Sequence, residues 1–168
     1  ETMRLTGAGE AVAHGVPGDL YVRVRVRPHK VFRREGKNIL IDLSGGKMLL
    51  VHQKMTGHLL VGKWKVEKQG RKKVVVPISD GFLREKVNNY IHDIFYLSDG
   101  SQLALSDLRK FAKLMAGDKE KIKDLPDLKD LGPDPLEISE KEFIDILKNK
   151  KGKIKQVLME QSVFAGIG

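Results

Sequence analysis

The sequence predicts an α+β fold, mainly β, in which a β-sandwich or barrel is followed by two C-terminal helices. Three observations carry that reading. Short runs of β-branched and aliphatic residues, separated by Gly, Ser and Asp, fill the first two thirds of the chain, the pattern of successive hairpins. The last third switches to apolar residues at three- and four-residue spacing, the period of an amphipathic helix. At 168 residues and 18.9 kDa, with 40% apolar residues, the chain is long enough to bury a core.

Taken in order, residues Gly7 to Asp19 are rich in Gly, Ala, His and Pro and read as a surface loop. From Asp19 to Arg27, Leu20, Val22, Val24 and Val26 alternate with Tyr21, Arg23, Arg25 and Arg27, which predicts a strand with one buried and one cationic face. Ile39 to Leu43 and Met48 to Val51 flank Ser44-Gly45-Gly46 as a hairpin. Ile94 to Leu97 and Leu103 to Leu105 form a second one across Ser98-Asp99-Gly100-Ser101. Leu59 to Val66 and Val74 to Ile78 supply further strands. The charged, Pro-bearing segment from Gly117 to Pro135 reads as a linker over the surface, kept close by Leu125, Leu128 and Leu131. Ser139 to Glu142 is a capping box ahead of Phe143, Ile144 and Leu147, so a helix is expected to about Lys150. Gly152 breaks it. Ile154, Val157, Leu158 and Gln161 then share one side of a second helix, expected to reach about Val163.

Charge points to an anionic partner without naming it. With 31 Lys and Arg against 22 Asp and Glu, the chain carries a formal +9 and a pI near 9.7. No apolar run is long enough to span a bilayer, and no signal peptide opens the chain, so a cytoplasmic protein is expected. The absence of cysteine excludes disulfides, thiol nucleophiles and thiolate metal sites. Glu1 in place of methionine and the abrupt end at Gly166-Ile167-Gly168 suggest a fragment.

Several segments, in order, resemble the formamidopyrimidine-DNA glycosylases. They are Arg33 to Leu40, Val51-His52-Gln53-Lys54-Met55-Thr56-Gly57, Tyr90-Ile91-His92, Leu97 to Gly100, Ser106-Asp107-Leu108-Arg109-Lys110-Phe111, Leu131-Gly132-Pro133-Asp134-Pro135-Leu136 and Ile154 to Gln161. Val163 to Gly168 looks like the approach to the family's helix-two-turns-helix element. The resemblance implies a glycosylase-type β-sandwich body over residues 33–136, followed by the truncated start of the helical domain over 137–168. It implies duplex DNA, damaged or abasic, as partner. It also implies roles: Met55 and Phe111 wedge between bases, Arg109 bonds the widowed base, Lys155 and His92 contact the DNA, and Lys37 sits beside a phosphate and the active site. Gly57 would let the hairpin turn tightly behind the wedge. These roles make physical sense, because a protein that everts a base must fill the hole it leaves.

Plainer readings stand beside them. A methionine after a β run, like a lone phenylalanine, is ordinarily core filler. Lys37 and Lys155 belong to a lysine-rich surface, Arg109 has Asp107 as a nearby partner, and His52 and His92 suit structural hydrogen bonds. The basic run Lys63, Lys65, Lys68, Arg71, Lys72 and Lys73 around Trp64 reads as a solvated hairpin tip, with a phosphate backbone as the alternative.

The family's nucleophile is the amine of an N-terminal proline followed by glutamate. Glu1-Thr2-Met3 does not match it, so catalysis is expected to be absent or crippled. Lys37 is the only substitute amine the resemblance offers. The cysteine-ligated zinc hairpin of the family also has no counterpart here, and no cofactor is expected. Arg4 to Glu10, Pro17 to Val22 and Val26 to Gly36 instead resemble the C-terminal β-domain of a DnaJ-type co-chaperone. Residues 1–36 are thus expected to form a co-chaperone-like strand segment joined to the glycosylase-like body, as in a chimera. The function expected is DNA binding of base-excision-repair type, derived from a glycosylase with AP-lyase activity. The competing expectation is a module that binds unfolded peptide.

Overall fold

The computed structural model describes residues 11–13, 20–23, 32–70, 72–97 and 99–168. A five-stranded sheet contains β1 (Ala11–Ala13), β11 (Lys113–Asp118), β5 (Lys47–His52), β4 (Asn38–Asp42) and β3 (Phe32–Glu35), in that order. A four-stranded sheet contains β2 (Leu20–Arg23), β9 (Ile91–Tyr96), β10 (Gln102–Asp107) and β6 (Gly57–Gly62). A separate antiparallel ribbon is formed by β7 (Trp64–Gln69) and β8 (Lys72–Pro77).

Strand alternation explains why the apolar runs are unbroken rather than alternating. Ile41, Leu49, Val51, Phe95, Leu103, Leu105 and Leu114 point between the two large sheets and form the sandwich core. Their neighbours Leu40, Met48, Leu50 and Met115 point the other way and are covered by Ile122 and Leu128. On the far side of the second sheet, Ile94, Ala104 and Leu60 pack with Trp64 and Leu83. Both faces of β5 and β10 are therefore buried, and a strand covered on both sides needs apolar residues at every position.

Both hairpins read from the sequence are present: β4 pairs with β5 and β9 with β10, each antiparallel. The segment from Gly117 to Pro135 differs from its reading as a surface linker. The chain first completes β11, which the sequence analysis did not anticipate, and then folds as α1 (Lys119–Lys123) and α2 (Pro126–Lys129). Ile122 and Leu128 are buried, with Leu125 and Leu131 packed beside them. The recurring leucines expected to keep this segment close are among the contacts that fix these helices to the sheet.

Of the N-terminal readings, the loop is corrected and part of the strand is present. Within the expected N-terminal loop, Ala11–Ala13 pairs antiparallel with β11. Of the expected strand from Asp19 to Arg27, Leu20–Arg23 pairs parallel with β9. The remainder of both segments, the Glu1-Thr2-Met3 start and most of the co-chaperone-like motifs lie outside the described residues.

The capping box closes as expected, with Ser139 and Glu142 bonding reciprocally at the start of α3 (Glu140–Lys148). The last helix, α4 (Ile154–Met159), stops short of Val163. Gln161 ends it: its Nε2 donates to the carbonyls of Met159 and Ile167, both at 2.9 Å, and its Oε1 accepts from Gly166 N at 3.0 Å. Val163 and Phe164 turn inward instead, and Phe164 stacks on Phe143 with ring centroids 4.5 Å apart. Among the described residues no helix is long and apolar enough to cross a membrane.

The C-terminal segment is laced to the sandwich. Gly132 N donates to the Gln161 carbonyl at 2.9 Å, Ala165 N to the Pro133 carbonyl at 3.0 Å, and Arg34 pairs with Asp134 at 2.5 Å. Gly132 has no room for a side chain, because a Cβ there would lie 2.4 Å from the Val163 carbonyl oxygen. Gly132→Ala should therefore cost about 1–3 kcal/mol of stability, measured by urea unfolding, whereas Gly70→Ala, with open space around it, tests positive-φ strain without a clash.

Candidate nucleic-acid interface

Two loops at one end of the sandwich are forced together by strand register. Residues 53–56 connect β5 to β6, and residues 108–112 connect β10 to β11. His52 stands opposite Lys113 in one sheet, and Gly57 stands opposite Asp107 in the other. Each loop thus crosses from one sheet to the other at the same level. The crossing is tight: a Cβ on Gly57 would lie 2.5 Å from the Gln53 carbonyl oxygen and 2.8 Å from Ala112 Cβ. Glycine is required there for close approach.

Asp107 holds the crossing. The residue is 1% exposed, and its carboxylate accepts from the Thr56 hydroxyl, from Ala112 N at 2.7 Å and from Arg109 N at 3.1 Å. Its own N–H donates to the Tyr90 carbonyl at 2.9 Å. His92 Nε2 donates to the Asp107 carbonyl at 2.7 Å, which requires that nitrogen to carry its proton. Burial resists ionisation of the carboxyl, but the Thr56 hydroxyl and the amides of Ala112, Arg109 and Phe111 outweigh it and hold the group below the usual carboxylate range.

Above this hub the structure brings Met55, Arg109 and Phe111 together in solvent. Arg109 Nη1 lies 3.5 Å from Met55 Sδ, and its guanidinium carbon lies 4.8 Å from the Phe111 ring centroid. Met55 is 79% exposed and Phe111 57% exposed, so neither is core filler. Arg109 bonds Asp107 through its backbone, leaving the guanidinium for its two apolar neighbours. Among the described residues, the non-glycine positions with left-handed backbone are Lys54, at φ 56°, and Lys110, at φ 57°. One precedes Met55 and the other separates Arg109 from Phe111. Each costs conformational energy that the surrounding hydrogen bonds must offset.

Lys37 stands elsewhere, on the turn between β3 and β4. It borders a cleft of about 300 Å³ with Asn38, His52, Lys54, Asp127 and Gln161. Lys54 borders this cleft and also adjoins Met55 in sequence, so the cleft lies next to the exposed trio. His52 is kept neutral there: burial first, and then the Lys54 charge, lower its pKa, while Asp127 opposes. Asn38 Nδ2 donates to the Asp127 carbonyl at 3.0 Å, and its buried Oδ1 has no partner. Lys155 is exposed on α4. His92 braces the hub from below instead of joining the trio. The sequence analysis missed Asp107 and Thr56 as organisers and the two left-handed lysines. Backbone conformation left no signal in residue type at Lys54 or Lys110.

The residues offer no zinc site of the family kind, since the sequence has no cysteine. Among the described residues, no three His, Asp or Glu side chains gather as metal ligands.

Comparison with known proteins places this architecture. Residues 1–91 match the model of the DnaJ C terminal domain. The chain is 35% identical over 137 residues to the formamidopyrimidine-DNA glycosylase of Moorella thermoacetica, covering 80% of this chain and 43% of that protein. It is 31% identical over 160 residues to that of Heliobacterium modesticaldum, covering 94% and 52%. The Lactococcus lactis enzyme in complex with abasic-site DNA superposes with a TM-score of 0.60 at 24% identity, over 82% of this chain and 45% of that one. A complex of MutM with DNA containing carbocyclic 8-oxo-G gives 0.57 at 24% identity, over 82% and 45%. The chain is homologous to formamidopyrimidine-DNA glycosylases over most of its length and belongs to the DnaJ C-terminal domain family over residues 1–91. It spans about half the length of the curated glycosylases it matches. Because the structural match takes in 82% of the chain, it includes much of the stretch that also fits the DnaJ model, which runs well past the Gly36 boundary expected from the sequence.

The hub makes a pH prediction. A carboxyl whose pKa is lower folded than unfolded stabilises the fold fully above its unfolded value near 4 and loses that contribution as pH falls through the depressed folded value. Asp107→Asn should therefore cost about 1–3 kcal/mol at neutral pH, with the gap to the parent narrowing as pH falls from about 4. Urea unfolding across that range checks it. Lys110→Gly should cost less than the roughly 1 kcal/mol usual for introducing glycine, or stabilise the protein, because left-handed strain is relieved.

Proposed function

We propose that this chain binds duplex DNA at a damaged or abasic site and keeps the stack open with Met55, Arg109 and Phe111. The observation that carries the reading is the exposure of two apolar side chains on a rigid edge, each in contact with one arginine. Held in water, such side chains contribute little to folding. Inserted between bases, they bury apolar surface, while the guanidinium supplies donors for an unpaired base edge. The formal +9 charge supplies the nonspecific attraction to phosphate, to which Lys155 on α4 and Lys54 beside the trio contribute. His92 contributes through the loop it braces. A cytoplasmic address goes with this reading.

Lys37 places an amine in the neighbouring cleft. It is the one substitute amine the resemblance offers for condensing with the aldehyde of an abasic sugar, forming an imine and releasing water, in a chain whose catalysis is expected to be absent or crippled. Borohydride should therefore trap little or none of the wild-type chain on abasic DNA, and an adduct that is lost in Lys37→Ala overturns that expectation. No adduct, or one that survives the substitution, removes Lys37 from this role and leaves a binding function alone.

A second reading has one observation in its favour, the match of residues 1–91 to the DnaJ C terminal domain: the chain would hold unfolded peptide. Salt separates the two. Phosphate binding should weaken by orders of magnitude as salt rises from 50 to 200 mM if about six or more phosphates are contacted, whereas apolar peptide binding should not. On abasic duplex, Arg109→Ala and Met55→Ala should each reduce the preference over intact duplex by about tenfold, equivalent to roughly 1.4 kcal/mol. Fluorescence anisotropy with both duplexes reads this directly. Equal affinity of the parent chain for both, at every salt concentration, refutes lesion recognition.

A further inference from the structure

We propose that Thr56 and Asp107 form a positioning clamp that presents the wedge in its inserted geometry before DNA arrives. The inference rests on the lesion-binding reading above and specifies how that site is regulated by its own scaffold.

The exposed residues cannot hold their own loops. Met55 and Phe111 lack burial, and the Arg109 contacts to them join solvent-exposed groups, which hold geometry weakly. Lys54 and Lys110 take left-handed backbone, a conformation that a lysine in a free loop abandons. The order must come from beneath. Asp107 gathers Thr56 from the first loop and the amides of Arg109 and Ala112 from the second. Thr56 directly follows Met55, and Arg109 and Ala112 bracket Lys110 and Phe111. One buried, ionised carboxylate thus anchors the residue after Met55, Arg109 itself and the residue after Phe111. Hydrogen bonds to an ionised acceptor are the strong kind, and this acceptor is shielded from water. The cost of ordering the two loops is met when the protein folds, so it is not subtracted from DNA affinity. Neither Thr56 nor Asp107 needs to touch the DNA, and both are positioning residues.

The test compares the parent chain with Thr56→Val and Thr56→Ser, all checked for folding by thermal melting. Valine keeps the shape and loses the donor, whereas serine keeps the donor. Thr56→Val should lose about tenfold in preference for abasic over intact duplex, the scale of one lost charge-assisted hydrogen bond. The salt dependence of its intact-duplex binding should be unchanged, because no phosphate contact is removed. Thr56→Ser should restore the preference. A Thr56→Val chain with the parent's preference overturns the clamp, as does a Thr56→Ser chain as impaired as the valine variant. Amide exchange on the DNA-free parent gives a second readout that needs no variant. The Arg109 and Ala112 amides should exchange slowly in the free protein, and fast exchange at both overturns the proposal. If the parent shows no lesion preference while those amides are protected, the binding function fails and the clamp stands as a structural feature only.

Discussion

A single buried carboxylate organises the working end of this molecule. Asp107 lies at the end of β10, where the strand leaves one sheet for the other, and it draws donors from two loops that are far apart in sequence. Leaving such a group buried without donors would be very costly. Supplied with them, it ionises readily and becomes a rigid node. The loops have little else to order them, since their most conspicuous side chains point away from the protein. Order in the wedge therefore derives from polar satisfaction below it and not from packing around it.

The sandwich makes this arrangement possible. β5 and β10 are buried on both faces, one between the sandwich core and the short helices, the other between that core and the Trp64 cluster. Their ends are fixed by dense packing, so the crossing loops start and finish at defined heights. Gly57 lets those loops approach to a distance that any side chain would prevent. The same economy recurs at Gly132, where backbone meets backbone between the sandwich and the C-terminal segment.

Much of this was legible in the amino-acid order. Both hairpins and the capped helix announced themselves through turn residues, β-rich runs and a Ser-to-Glu spacing that each have a local cause. The glycosylase resemblance singled out Met55, Arg109 and Phe111, and register brings them together, although residue type alone favoured core positions for two of them. Other features were not legible because their causes are nonlocal. β11 is flanked by charges and is recognisable as a strand only once β5 is beside it. α1 and α2 are too short to hold a helix alone and exist because Ile122 and Leu128 find the sheet. The end of α4 depends on one glutamine side chain capturing backbone groups. Asp107 looked like an ion-pair partner for Arg109, because nothing in the sequence reveals that Thr56 will arrive from fifty residues away in the chain.

The first strands have a consequence of their own. Ala11–Ala13 extends the larger sheet at β11, and Leu20–Arg23 extends the smaller sheet at β9. One short stretch of chain therefore clasps both layers and occupies the backbone groups that a foreign strand would otherwise seek. At these two edges the outermost strands are therefore β1 and β2, so any strand added there would meet this short stretch and not β11 or β9.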